Sequence, residues 1–209
     1  MRTPFMKYAL AGALALSLAA GGAVVAQAAL TKNPAEVTAG NYDLESSHGK
    51  ITWSVNHFGL STYTGQFVNV KAQLKLDPAN PSASTLTATI PLTDVAPNDD
   101  RLKAHLQTAD FFDTANHPTA TFVSRSVTVD PSDRNEATVV GDLTLKGVTK
   151  PVTIEVKFNG AGTVMGAYKS GFDGEATIKR SDFGINYALP AVSDEVKLHI
   201  EGEFVKAAG

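Results

Sequence analysis

The chain has 209 residues, a formal net charge of −3 and no cysteine, with 18 basic against 21 acidic side chains. That excludes a disulfide scaffold, thiol chemistry and thiolate metal centres, and it gives no electrostatic footprint for nucleic acid. The first 28 residues read as a leader: Arg2 and Lys7 give a basic start, 9–25 is an uncharged Ala/Leu/Gly run, and Ala26-Gln27-Ala28 has the small-x-small form of a cleavage site. A retained membrane anchor is the alternative for so long a run, although its alanine and glycine content makes it weakly apolar. No cysteine follows, so a lipoprotein anchor is excluded. Loss of the leader, with two basic residues and no acidic one, would take the charge from −3 to −5. A signal peptide implies export, in bacterial terms to the periplasm.

Residues 29–41 are small and polar and read as a flexible segment ahead of one domain over 42–206. Strand signals then follow in order. Over 50–58, Ile51, Trp53 and Val55 alternate with Thr52, Ser54 and Asn56, and such alternation gives a strand one apolar and one polar face. A second strand is expected over 65–76, where the apolar parity changes between Phe67 and the Val70, Ala72, Leu74, Leu76 series, the mark of a β-bulge. Asp77-Pro78 and Asn80-Pro81 punctuate a loop before a strand over 84–91 carrying Leu86 and Ile90. Asn98 can cap a short helix with Leu102 and Leu106 on one face, followed by Phe111-Phe112.

Further strands are expected over 119–129, with Phe122, and 137–145, with Leu143. A loop over 146–151 leads to 152–158, with Ile154 and Val156. Strands over 168–178, with Phe172 and Ile178, and 194–205, with Leu198 and Ile200, complete eight. This all-β pattern with one short helix must pack as a sandwich or close into a barrel. Small inward residues, among them Ala72, Ala88, Gly174, Ala176 and Gly202, leave room for a cavity or serve the taper of a filled barrel.

No nucleophile elbow, zinc-protease, P-loop or dinucleotide motif is present. His57 shares the inward parity of Ile51, Trp53 and Val55 near a strand end, either to meet a ligand's polar head or to be satisfied by neighbouring strands. Arg180, in Lys179-Arg180-Ser181-Asp182-Phe183-Gly184, follows a strand and should sit at a rim. It suits a phosphate or carboxylate, or a corner bridge to Asp182.

Seven stretches in order carry a resemblance. They are Tyr42-Asp43-Leu44 with Ser47-His48; Ile51-x-Trp53-x-Val55-x-His57-x-Gly59; Gly65-Gln66-Phe67; His105-Leu106 with Asp110-Phe111-Phe112-Asp113; Pro118-x-x-x-Phe122-x-Ser124; the run Gly141-Asp142-Leu143-Thr144-Leu145-Lys146-Gly147-Val148-Thr149-Lys150-Pro151-Val152; and Arg180-Ser181-Asp182-Phe183-Gly184. From about 41 to 206 the chain resembles the YceI-like family of exported, lipocalin-like lipid- or polyisoprenoid-binding proteins. The resemblance implies an eight-stranded antiparallel barrel capped by a helix, with a hydrophobic pore for a polyisoprenoid or similar amphiphile, and it transfers no catalytic residue. Trp53 stands where the family often has phenylalanine, which would reshape the pore, and Ala104 precedes His105.

The expected pore wall is Ile51, Trp53, Val55, Leu74, Leu86, Ile90, Phe111, Phe112, Phe122, Leu143, Ile154, Val156, Phe172, Ile178, Leu198 and Ile200, with His57 and Arg180 as candidates for the head group. The expected activity is non-catalytic binding, with transport or storage, of an amphiphilic isoprenoid lipid or a quinone, with no metal and no required cofactor. Transient contact with a membrane or membrane protein, and a monomer or homodimer, complete the expectation. Two other readings stay open: a filled barrel that docks an envelope protein, and an enzyme acting on a buried apolar substrate through His57 and Arg180.

Overall fold

The computed structural model describes residues 30–208, and the expected leader lies outside them. Ten strands and one α-helix are present among these residues: β1 (Gly40–His57), β2 (Ser61–Phe67), β3 (Lys71–Leu76), β4 (Thr85–Pro91), β5 (Val95–Pro97), α1 (Asp100–Leu106), β6 (Thr119–Val129), β7 (Glu136–Leu145), β8 (Val148–Val164), β9 (Ala167–Lys179) and β10 (Glu195–Lys206). All pairings are antiparallel, and β10 returns to β1, so β1, β3, β4 and β6–β10 form a closed eight-stranded barrel. Closure removes the exposed edges that an open sheet leaves. The remaining two strands extend one end: β2 pairs with Ile51–His57 of β1, and β5 lies along β2.

The alternation seen in the sequence sets the register. Ile51 lies opposite Ile200 and Trp53 opposite Leu198, and shifting either strand by one residue would turn its apolar set outward. The parity change at 67–70 is a strand break, not the expected bulge. Asn69 takes a left-handed turn at φ 57°, and the chain passes from pairing with Ile51–His57 to pairing with Gly40–Asp43 of β1. The irregularity lies in β1 itself, between Leu44 and Gly49, with others in β6 between Ser124 and Ser126 and in β8 between Phe158 and Gly160.

Three expectations at element ends are also corrected. The β7–β8 connection is the two-residue turn Lys146-Gly147, at φ 50° and 75°, so 148–151 is already strand. Asp99, not Asn98, caps α1, its Oδ1 accepting the Leu102 N–H at 2.8 Å. Residues 31–37 are not a free lead-in. Thr31 exchanges backbone hydrogen bonds with Ala161, and Val37, 7 % exposed, is buried against Phe158 and Ala161.

One end of the barrel is closed. Trp53, Val95 and Leu106 are buried there together, with Val55, Tyr63, Phe67, Leu102, Phe111, Phe112, Val196 and Leu198 packed around them. The helix thus covers this end through Leu102 and Leu106. The opposite end carries the β3–β4 and β6–β7 loops and the ordered segment 31–37.

Candidate functional site

Inside the barrel is a cavity of about 260 Å³. It exceeds the roughly 150 Å³ apolar cavity that admits benzene, and falls just below the roughly 300–1,000 Å³ typical of ligand pockets. Its wall is built from inward positions of every barrel strand. Of the expected pore residues, Ile51, Leu74, Leu86, Ile90, Phe122, Leu143, Ile154, Val156, Phe172, Leu198 and Ile200 line it. Alternation and closure place them together: each points in because its strand neighbours point out.

Five expected pore residues lie outside the wall. Trp53, Val55, Phe111 and Phe112 are inward and apolar, but they belong to the plug beneath α1. Ile178 packs against the main buried cluster, of which Phe183 and Ile185 are members. Periodicity gives the face a residue occupies and not its height along the barrel, so plug and wall look alike in sequence. Unforeseen wall residues include Val37, Leu44, Val70, Leu76, Val127, Val129, Ala137, Val139, Val152, Phe158 and Phe204. Parity identifies most of them, whereas Val37 joins only because 31–37 crosses the open end.

The small inward residues serve both purposes. Ala72, Ala88, Gly174, Ala176 and Gly202 line the cavity. A Cβ at Gly174 would stand 3.1 Å from Ile154 Cγ2, and one at Gly202 would stand 3.0 Å from Phe204 Cε2, so large neighbours already crowd these glycines.

Neither residue expected at the head group reaches the cavity; both lie at the closed end. His57 is exposed, pairs in a β-bridge with Val192 and sets its ring 4.7 Å from that of Phe58. Arg180 is 5 % exposed, and its guanidinium makes four hydrogen bonds to backbone carbonyls: Nε to Ser193 at 2.9 Å, one terminal nitrogen to Ile185 at 3.1 Å and Tyr187 at 2.7 Å, the other to Val192 at 2.8 Å. Burial pushes its pKa down, opposed by the negative charge of Asp194. The expected bridge to Asp182 is absent among the described residues. Asp194 instead takes the Ser181 N–H at 2.9 Å and hydroxyl at 2.7 Å, and these bonds hold its carboxyl below the usual range. Arg180 therefore fastens the segment between β9 and β10.

Polar groups gather where the cavity meets the open end. Asp77, Pro78, Pro81, Ser84, Thr85, Arg134 and Asn135 line it there, with Pro34 and Ala35 of the N-terminal segment. Arg134 is the single cation inside the polar loop 130–135. A separate cluster on the barrel's outer surface brings Glu45, His48 and Glu203 within metal-ligand spacing. The Lys169 ammonium already sits among them, 2.5 Å from Glu45 and 3.4 Å from Glu203.

The geometry is that of a plugged barrel with an apolar bore and one polar mouth, and comparison with known proteins agrees on the fold. The model of the YceI-like domain matches residues 42–204. Protein YceI of Escherichia coli O6:H1 is 40 % identical over 165 residues, 78 % of this chain and 85 % of that protein. Among solved structures, Burkholderia cenocepacia BcnA superposes with a TM-score of 0.68 at 27 % identity, over 77 % of this chain and 98 % of its own. A polyisoprenoid-binding domain from Saccharophagus degradans gives a TM-score of 0.59 over 81 % of this chain and 100 % of its own, at 13 % identity, a likeness of fold. The chain belongs to the YceI-like family.

Proposed function

We propose that this protein binds the apolar chain of an amphiphilic lipid, of polyisoprenoid or similar kind, inside its barrel. The observation that carries the reading is the cavity: its wall is apolar on every side, it is plugged at one end, and polar groups ring the other. A polyisoprenoid-binding domain of the same fold supports the choice of cargo. The reading is of a binding protein: His57 and Arg180, the two side chains weighed for acid–base chemistry, are held at the closed end, away from the bore.

Energetics favour a reversible carrier or buffer. At about 0.8 kcal/mol per buried CH₂, a chain of forty carbons would gain roughly 30 kcal/mol on leaving water. Non-covalent affinities end near roughly 18–21 kcal/mol, so that gain is not an affinity. Such a lipid starts in a membrane and is already out of water. Its transfer into the barrel is then close to balanced, and the head group and chain ordering decide it. We place this exchange in the periplasm on the strength of the leader sequence, with quinones and other isoprenoid lipids as candidate cargo.

The test is uptake from vesicles doped with a long-chain polyprenol, followed by separation and lipid analysis of the protein fraction. Polyprenol eluting with the protein at a fixed ratio is expected. Protein emerging free of lipid across chain lengths would sink the reading.

A further inference from the structure

We propose that residues 31–38 form a strap that gates the barrel. Latched across the open end it narrows the mouth of the cavity, and it swings away about Gly40 when a lipid chain enters or leaves. This rests on the reading of the cavity as a lipid site and concerns the control of that site. The strap precedes residues 42–204, the stretch that matches the YceI-like domain, so it lies outside the shared barrel.

A chain can enter only at the strap's end of the bore. The sides are a closed hydrogen-bonded ladder, and the Trp53 end is plugged. At the open end Pro34, Ala35 and Val37 line the cavity. Val37 is buried with Phe158 and Ala161, and Phe172 packs against the same group. Phe158 and Phe172 are also cavity wall, so the one buried side chain of the strap closes directly onto the bore.

The strap is a preformed piece. Thr31 Oγ1 donates to Glu36 Oε2 at 2.5 Å, Asn33 Nδ2 donates to Glu36 Oε1 at 3.1 Å, and Asn33 Oδ1 accepts the Ala35 N–H at 3.1 Å. These bonds keep the shape of the turn at Pro34–Glu36 whether or not it touches the barrel.

Its ties to the barrel are light. Thr31 and Ala161 exchange backbone hydrogen bonds at 2.8 and 3.1 Å, Lys32 Nζ reaches the Asn159 carbonyl, and the Tyr168 hydroxyl accepts the Thr38 N–H at 3.1 Å. Each barrel strand, by contrast, has a partner on both edges. A segment with so few buried contacts opens locally while the barrel stays folded.

Both ends of the strap meet a glycine. Gly40, at φ 140°, joins it to β1, and Gly160, at φ 146°, lies against Thr31, whose carbonyl oxygen would stand 3.2 Å from a Cβ there. Glycine alone takes such angles freely, so the hinge can turn and the latch can seat closely.

Ser170 shows that closure carries a penalty. It faces Ala161 across the β8–β9 ladder, is 1 % exposed, and its hydroxyl has no hydrogen-bond partner among the described residues. Lifting Val37 from Ala161 opens that region to water, which can satisfy a hydroxyl that the closed state leaves unpaired.

The experiment locks the latch with Thr31→Cys and Ala161→Cys in the purified protein, whose sequence has no cysteine of its own. Residues in a hydrogen-bonded antiparallel pair lie about 5.5 Å apart at Cα, inside the roughly 4.4–6.8 Å that a disulfide spans. Uptake of a long-chain polyprenol from doped vesicles is timed before and after reduction. The oxidised protein is expected to load about tenfold more slowly, and dithiothreitol should restore the rate of the wild type. Tyr168→Phe removes one latch bond outside the cavity wall. It should speed loading and release alike, by about twofold to fivefold, and leave the loaded fraction at equilibrium unchanged. In hydrogen exchange the Thr31 and Ala161 amides should exchange ahead of those in the barrel ladders. Equal loading rates for oxidised and reduced protein, or Thr31 and Ala161 amides as protected as the barrel, would overturn the inference while leaving the lipid reading intact. A wild type and a reduced variant that both load no polyprenol would overturn the two together.

Discussion

The indole of Trp53 lies over Gly65, its partner across the β1–β2 ladder: a Cβ at 65 would stand 2.3 Å from Trp53 Cζ2 and 2.7 Å from Cε2. The missing side chain is what lets a ring of this size close the barrel, with Tyr63 stacked at 6.0 Å between centroids. Gly65→Ala should force the indole aside and cost about 1–3 kcal/mol, read as a lowered midpoint in urea unfolding. An unchanged midpoint would mean that the plug is looser than its packing implies.

Trp53→Phe tests the same plug from the other side. The indole N–H is buried without a hydrogen-bond partner among the described residues, so its removal lifts a desolvation cost while the smaller ring loses contacts. These effects oppose, and the net change is expected to stay within about 1.5 kcal/mol. Lipid uptake should be unaffected because Trp53 is outside the cavity wall.

How much of this was legible in sequence follows from what periodicity encodes. The faces of Ile51, Ile154 and Leu198 were readable because the period of two is local. The distinction between Trp53 in the plug and Ile51 in the wall was not, because it depends on how far along the barrel each lies. The turns Lys146-Gly147 and Met165-Gly166 were obscured because lysine and methionine occupy left-handed positions where asparagine or glycine is the usual signal. His57 and Arg180, the candidates for a head group, stand near strand ends away from the cavity: parity marks a strand end but not the plug that covers it, and Arg180 satisfies backbone carbonyls that no pattern announces.

Arg180→Leu should destabilise the fold by about 2–4 kcal/mol, since carbonyls of Ile185, Tyr187, Val192 and Ser193 lose a buried cationic partner. The refolded variant, assayed well below its melting temperature, should still take up lipid. Stability equal to wild type in denaturant titration would contradict the structural role assigned to this residue.

Tyr42 offers a pH test. It is 1 % exposed, its hydroxyl donates to the Thr38 carbonyl, and burial, aided by nearby Tyr168, pushes its pKa up to about 12. An unfolded tyrosine titrates near 10. The folded state therefore keeps a proton that the unfolded state has lost between those values. Its contribution is intact below pH 10 and declines as pH rises toward 12. Absorbance titration of Tyr42→Phe against wild type should show one tyrosinate fewer forming late, and the variant's stability should fall less steeply above pH 10. A wild-type titration complete by pH 10.5 would contradict this.

Ala88→Phe places a ring in the bore, where Ala88 lines the cavity opposite Ala72 on the neighbouring strand. The fold should survive, because the ring enters space that is already present, and uptake of a long polyprenol should drop severalfold. His57→Ala, at the closed end, should leave uptake unchanged. Uptake that tolerates Ala88→Phe would show that lipid associates elsewhere.

The central claim is that the bore holds a lipid chain, and native mass spectrometry of the gently purified protein, with lipid extraction from the same sample, tests it most directly. The account predicts a discrete added mass that the extract resolves into an amphiphile with one long apolar chain, and a severalfold smaller share of loaded protein in Ala88→Phe. Protein that is bare as isolated and stays bare after exposure to polyprenols, prenyl phosphates and quinones would contradict it.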